Sequence, residues 1–234
     1  VNAVDYADVK VFCVALYRAM KAGKVFMFRT AASIVKVMGG VTDQPLLTRE
    51  KMVTLDNDNG GIIVVGSHTA KTTAQVECLK EMDEVTFVEL DATLVKDEEA
   101  FEKEVQRCLA VEEECIRAGK TVCCYTTRAL ITADTGNKED ELRLSVRISD
   151  AVQSLVGILT VTPAFVIAKG GITSSDVGTK ALHVKRALVL GQIEPGIPVW
   201  QTGPWSRFPG IPYIIFPGNV GEVDTLYKAV KKLI

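Results

Sequence analysis

The sequence predicts an α/β fold: an open, mostly parallel sheet with helices on both faces and a short antiparallel extension near the C-terminus. Three observations predict it. Short apolar runs alternate with amphipathic stretches of three- and four-residue period, a strand–helix unit repeated four times. The runs are apolar on both faces, as in Ile62-Ile63-Val64-Val65, the pattern of a parallel strand covered on both sides. Turns rich in glycine and hydroxyl residues separate the runs from the helices that follow.

The elements follow in order. Tyr6 to Ala22 places Val9, Cys13, Leu16 and Met20 on one helical face, and Gly23 ends it. Val25-Phe26-Met27-Phe28 reads as a strand, and a second helix runs from Thr30 or Ala31 to Met38. Val41 to Asn59, with Pro45 and a DNDN run, has turn chemistry without a period and reads as a crossover. The regular region opens with the Ile62 strand and a helix from about Thr69 to Met82. Strand Thr86 to Leu90 precedes a helix from Asp97, its N-cap, to Ala118, with Gly119 as its stop. Strand Thr121 to Tyr125, a helix from Lys138 to Leu159 and strand Phe165 to Ala168 come next. Gly170-Gly171 then breaks the chain before a helix beginning at Ser174 or Ser175. Val189 to Gly191, Pro198 to Trp200 and Tyr213 to Phe216 read as short strands joined by Pro-Gly turns, an antiparallel edge. A helix from Glu222 to Leu233 closes the chain.

Composition narrows the function classes. The 234 residues carry Lys+Arg 27 against Asp+Glu 29, a net charge of -2, without the basic excess of a nucleic-acid binder. The longest apolar stretch, Leu155 to Ala168, is interrupted by Thr160, Thr162 and Pro163 and is too short for a bilayer, so no membrane partner is expected. Six cysteines include no CxxC pair, and His68 and His183 are the only histidines, which argues against zinc and for reduced thiols in a cytoplasmic protein. Val1-Asn2-Ala3-Val4 has neither an initiating methionine nor a signal pattern, and reads as though cut from something longer.

In an open α/β sheet, ligands bind beyond the carboxyl ends of the strands. Three strand-end loops carry unusual residues. Val65-Gly66-Ser67-His68-Thr69 offers hydroxyls at a helix start, suited to a phosphate or ribose oxygen, with plain capping by Ser67 or Thr69 as the simpler reading. Lys169-Gly170-Gly171-Ile172-Thr173-Ser174-Ser175-Asp176 supplies a glycine pair, three hydroxyls and a carboxylate, the makings of an amide nest for an anion. Phe216-Pro217-Gly218-Asn219-Val220-Gly221 repeats the strand, glycine loop and helix order. Other motifs are set aside. Ala118-Gly119-Lys120-Thr121 mimics the end of a Walker A sequence but precedes a strand, and no GxGxxG follows one. Glu112-Glu113-Glu114 reads as a solvated helix face. Arg29 and Ser33 frame a turn where an arginine suits a carboxylate or phosphate, with a plain surface arginine as the simpler reading.

The runs KGGITSSDVGTKAL, RALVLGQIEPGIPVW and FPGIPYIIFPGNVG together resemble the C-terminal nucleotide-binding domain of the four-carbon acid sugar kinases. FRTAASIVKVMGG resembles the end of that family's N-terminal substrate domain. The resemblance implies that residues 1–45 are the tail of the sugar-acid-binding domain and its linker, and residues 46–234 the nucleotide-binding domain. It implies ATP contacts from Ser67, Gly170, Gly171, Ile172, Thr173, Gly218 and Asn219, with Mg2+ as cofactor. It further implies phosphorylation of the terminal hydroxyl of a four-carbon sugar acid of the threonate, erythronate or 3-oxo-tetronate type. That acid would be held mainly by the upstream domain, leaving this fragment unable to turn over alone. A homo-oligomer is a compatible state. Many relatives place an acidic residue where this chain has Ile172, which leaves no metal ligand assigned and Asp176 as a substitute. The alternatives are a non-catalytic nucleotide-binding regulatory module and an oxidoreductase, the latter disfavoured by the absent dinucleotide fingerprint.

Overall fold

The computed structural model describes residues 1–54, 57–129, 131–133 and 137–234, in two units, Val1–Pro45 and Leu46–Ile234. In the first unit, helix α1 (Tyr6–Lys21) starts where the Asp5 carboxylate accepts the N–H groups of Ala7 and Asp8 at 2.8 and 3.1 Å. Helix α2 (Ala32–Met38) is tied to it by the Tyr17 hydroxyl, which donates to the Met38 carbonyl at 2.7 Å. Within α1 only Cys13 and Leu16 are buried. The strand expected at Val25 to Phe28 does not form. Among the described residues of this unit no other strand is present, so the run has no ladder to join, and Val25 and Met27 are 95% and 99% exposed.

The second unit begins with α3 (Arg49–Met52), a single turn that the non-periodic crossover did not announce and whose Met52 is fully buried. Then come β1 (Ile62–Val65), α4 (Ala70–Leu79), β2 (Val85–Leu90), a 3₁₀ turn (Ala92–Lys96), α5 (Glu98–Arg117) and β3 (Thr121–Thr126). They are followed by α6 (Lys138–Gly157), β4 (Val166–Lys169), and α7 (Gly171–Asp176), which runs directly into a π-helical turn (Val177–Ala181). Strands β5 (Ala187–Glu194), β6 (Ile197–Thr202) and β7 (Pro212–Phe216) and helix α8 (Thr225–Lys231) complete the unit. The seven strands form one sheet in the order β2-β3-β1-β4-β7-β6-β5.

The first five strands in that order pair in parallel, with Val65 opposite Lys169 and Lys169 opposite Phe216 at the carboxyl ends of β1, β4 and β7. Only β5 and β6 run against their neighbours. The sequence expectation of an antiparallel edge therefore holds for β5 and β6, whereas β7 is parallel to β4 on its inner side. One face packs against α5, α6, α7 and the π turn, the other against α3, α4 and α8. Every residue of β1 is completely buried, as the apolar run required. At the ends of α5, the Asp97 carboxylate accepts the Ala100 N–H at 3.0 Å, and Gly119 turns out of the helix at φ 73°. Among the described residues no helix is long and apolar enough to cross a membrane. All six cysteines are unpaired.

The acidic run on α5 is not the solvated face that its charge suggested. Glu114 is exposed, Glu113 accepts from the Thr160 N–H and the Arg117 guanidinium, and Glu112 is fully buried. Helical spacing puts Glu112 on the same inward stripe as Cys108, Cys115 and Ile116. Neither of its carboxylate oxygens has a hydrogen-bond partner, and burial raises its pKa well above the ordinary 4.5. The folded state thus holds this proton more tightly than the unfolded chain. Its contribution to stability is full below about pH 4.5 and is lost as the pH rises towards the folded-state value. Glu112→Leu should match the wild-type thermal midpoint near pH 4 and exceed it increasingly towards pH 8. Parallel melting curves from pH 4 to 8 check this, and a constant offset would show that the carboxyl does not titrate in the fold.

Candidate functional site

Parallel pairing sends the chain out of β1, β4 and β7 at the same edge of the sheet, and these strands are immediate neighbours. Their three glycine loops consequently meet. A Cβ built on Gly218 would lie 3.7 Å from Ser67 Oγ and 3.8 Å from Gly170 Cα. One built on Gly170 would lie 3.2 Å from Ser67 Cβ and 3.1 Å from Thr173 Oγ1. Gly170 also has φ 126°, a conformation that side chains rarely adopt, so both space and backbone require glycine. Its N–H donates to the Phe216 carbonyl at 2.9 Å, which stitches the β4 turn to the end of β7.

The hydroxyls in these loops divide into structural and unengaged groups. Thr69 caps α4, accepting the Thr72 N–H at 3.4 Å. Ser67 does not cap. Its hydroxyl accepts from Thr72 Oγ1 at 3.3 Å, and Thr72 also reaches the Gly218 carbonyl at 3.4 Å. Helix α7 starts at Gly171, three residues before the expected position, because Gly170 supplies the turn. Ser174 therefore lies inside the helix, its hydroxyl donating to the Ala168 carbonyl at 2.7 Å. Thr173 is buried beneath Gly66 and Gly170, while Gly171 and Ile172 face outward on the first turn. Asn219 is exposed at the tip of its loop and makes no side-chain hydrogen bond to a described residue.

Three cations at this edge were not singled out by sequence reasoning. Lys169, the last residue of β4, is fully buried and donates to the carbonyls of Pro217 and Gly218 at 2.8 and 3.2 Å. Burial, with the neighbouring Lys71, pushes its pKa down to about 8. Lys71 on α4 donates to the Gly221 carbonyl at 3.2 Å. Arg128, after β3, donates to the Ser67 carbonyl and to both the carbonyl and hydroxyl of Thr126, each within 2.8 Å. Lys169 closes the run Phe165-Val166-Ile167-Ala168 and reads in the sequence only as part of the glycine loop. Its place between an apolar run and a glycine pair was the available signal.

Two hollows flank α7. A cavity of about 250 Å³ lies on the β1 and β3 side, lined by Gly66, His68, Thr126, Ser145, Ser149 and Ile172. A cleft of about 570 Å³ lies on the β6 and β7 side, lined by Gly171, Ser175, Arg186, Val189, Trp200 and Pro217. A larger groove, about 670 Å³, belongs to the first unit, where Arg29, Thr30 and Ser33 join the apolar side chains of Phe12, Phe26 and Phe28. Among the described residues no group of three or more His, Cys, Asp or Glu side chains could hold a metal ion. Asp176 is already engaged, accepting from Ser149 Oγ at 2.9 Å and Lys180 Nζ at 3.2 Å.

The profile of the family described as nucleotide-binding C-terminal domain matches residues 62–226. No curated protein matches the chain. Among solved structures, a Salmonella typhimurium protein provisionally assigned as a tRNA synthase superposes with a TM-score of 0.67 at 16% identity, over 97% of this chain and 51% of its own. A Haemophilus influenzae protein of the domain-of-unknown-function family DUF1537 gives 0.62 at 18% identity, over 100% and 53%. A DUF1537 domain from Bordetella bronchiseptica, a domain-swapped dimer with bound citrate, gives 0.59 at 18% identity, over 99% and 52%. At such identities the likeness concerns the fold, and this chain spans about half the length of the solved structures it matches. With the family profile covering most of the sheet and all three glycine loops, the chain belongs to the nucleotide-binding C-terminal domain family, in agreement with its resemblance to that domain of the four-carbon acid sugar kinases.

Proposed function

We propose that this chain binds ATP as the nucleotide half of a kinase that phosphorylates the terminal hydroxyl of a four-carbon sugar acid. The observation that carries the reading is the meeting of Ser67, Gly170 and Gly218 at the carboxyl ends of adjacent parallel strands. Main-chain amides at glycine turns can approach a polyphosphate closely, and phosphoryl transfer depends chiefly on positioning and charge neutralisation. Gly171, Ile172 and Thr173 on the first turn of α7 extend that contact, and Asn219 closes it from the β7 side. Magnesium, where it accompanies ATP, would supply charge neutralisation, and no described residue is assigned as its ligand. The sugar acid is gripped by the other half of a longer cytoplasmic, homo-oligomeric enzyme, of which the first unit here is the tail.

In this reading the nucleoside lies in the roomier of the two hollows, the 570 Å³ cleft, which falls within the usual range of about 300–1,000 Å³ for ligand sites. The cleft opens on Gly171 and Pro217, next to two of the three loops, and offers the indole of Trp200 as an apolar wall.

Two variants separate the parts of this reading in titration calorimetry. A Cβ on Gly171 meets nothing within 4 Å, so Gly171→Asp leaves the fold unstrained while setting a carboxylate against the phosphates. It should weaken ATP binding by about tenfold or more. Val189→Arg, at a position 63% exposed, should obstruct the cleft and weaken ATP while leaving tripolyphosphate unaffected. Unchanged ATP affinity in both variants would remove the site. For the kinase itself, the longer polypeptide is supplied with Mg-ATP and a panel of four-carbon acids. Acid-dependent ADP release is expected; ATP binding without it would favour the regulatory module.

A further inference from the structure

Among the described residues, Lys169 is a buried charge without a counter-charge. It is 0% exposed, and Lys71 is the charged side chain among them that acts on it. The described elements packed around it supply no acid. In register, β1 presents Val65 and β7 presents Phe216, whose ring lies 4.4 Å from the ammonium. From α4 come Lys71 and Thr72, and from the β7–α8 loop come two carbonyls. Asp224, at the cap of α8, is paired with Lys228. Buried lysines are rare unless paired, because an ammonium in a poorly polar interior forfeits its hydration. The two carbonyls use two of its three N–H donors, and the third has no acceptor among the described residues.

The position of the ammonium says what it would meet. The Gly218 carbonyl that it holds belongs to the residue whose Cα faces Ser67 and Gly170. An anion held at these three loops would lie against the loop whose carbonyl Lys169 grips. We propose that Lys169 is the charge-compensating and loop-positioning residue of the nucleotide site, and that binding of the polyphosphate draws a solvent proton onto it. This rests on the nucleotide-binding reading above and adds to it a proton-linked step. Before binding, burial and Lys71 disfavour the charged form, and the ammonium is half-populated near pH 8. A phosphate at the site favours the charged form, so affinity falls as the pH rises through that value.

Calorimetry with Mg-ATP at pH 8, in buffers of different ionisation enthalpy, counts protons taken up on binding. The wild type should take up about half a proton. Lys169→Arg keeps a charge that does not titrate and should bind ATP without this uptake, its affinity flat between pH 7 and 9. Lys169→Met should lose about tenfold or more in affinity at pH 7 and show no uptake. If Lys169→Met does not fold, Lys169→Arg and the wild-type proton count decide. ATP binding by the wild type with no proton uptake beyond that of Lys169→Arg would overturn the proposal and leave the nucleotide reading standing. A wild-type protein that binds neither ATP nor tripolyphosphate would overturn both.

Discussion

Parallel register between β1, β4 and β7 is the constraint from which the site derives. A parallel ladder makes every strand leave the sheet at the same edge, so three turns far apart in sequence become neighbours. Were β7 antiparallel to β4, Gly218 would leave from the opposite edge and could not face Gly170. The register is itself fixed by burial. Ile62 to Val65 and Val166 to Lys169 are buried at every position, and Phe216 and Tyr213 sit in the core, so slipping a strand would carry Lys169 out of line with the Phe216 ring. Fold and site are therefore one energetic problem: the apolar packing that orders the sheet also sets the distances among the loops.

The same arrangement explains the chemistry of the edge. Parallel strands end in carbonyls and α4 begins with free N–H groups, so the crevice carries dipoles of both signs. Lys169, Lys71 and Arg128 all donate to loop carbonyls here, stiffening the turns while adding positive charge. In a half-buried setting such charges are screened less than at an open surface. A cation that holds a loop and also faces an incoming anion is set in place before the ligand arrives, which lowers the ordering cost of binding.

Much of this was legible in the amino-acid sequence. The strand–helix alternation, the Asp97 and Gly119 signals on α5, and the three glycine loops rest on local chemistry that a short window contains. What escaped depended on partners distant in the chain. Val25 to Phe28 has strand composition, but a strand exists only where another chain segment completes its hydrogen bonds. Tyr213 to Phe216 was readable as a strand, yet its parallel mate 47 positions earlier was not, Val166 being paired with Tyr213. The start of α7 was misplaced because Ser174 is an ordinary cap residue, whereas Gly170 at φ 126° performs the turn. Glu112 escaped because an acidic run is read as solvated, and Lys169 because its loop is read for its glycines; only the packed structure shows both side chains buried.

These two buried charges differ in a way that bears on function. Glu112 sits among Cys108, Cys124 and aliphatic side chains beside α5, with no hydrogen-bond partner and no hollow lined by it. Its environment favours the neutral carboxyl. Lys169 lies instead at a strand end, fixed by two carbonyls and an aromatic face beneath the glycine loops. Carbonyl oxygens favour the ammonium over the amine, so this site opposes the desolvation that lowers its pKa and leaves the group poised between its two forms. Burial alone does not mark a functional charge. What sets Lys169 apart is burial together with oriented carbonyl acceptors, at the edge where three glycine turns converge.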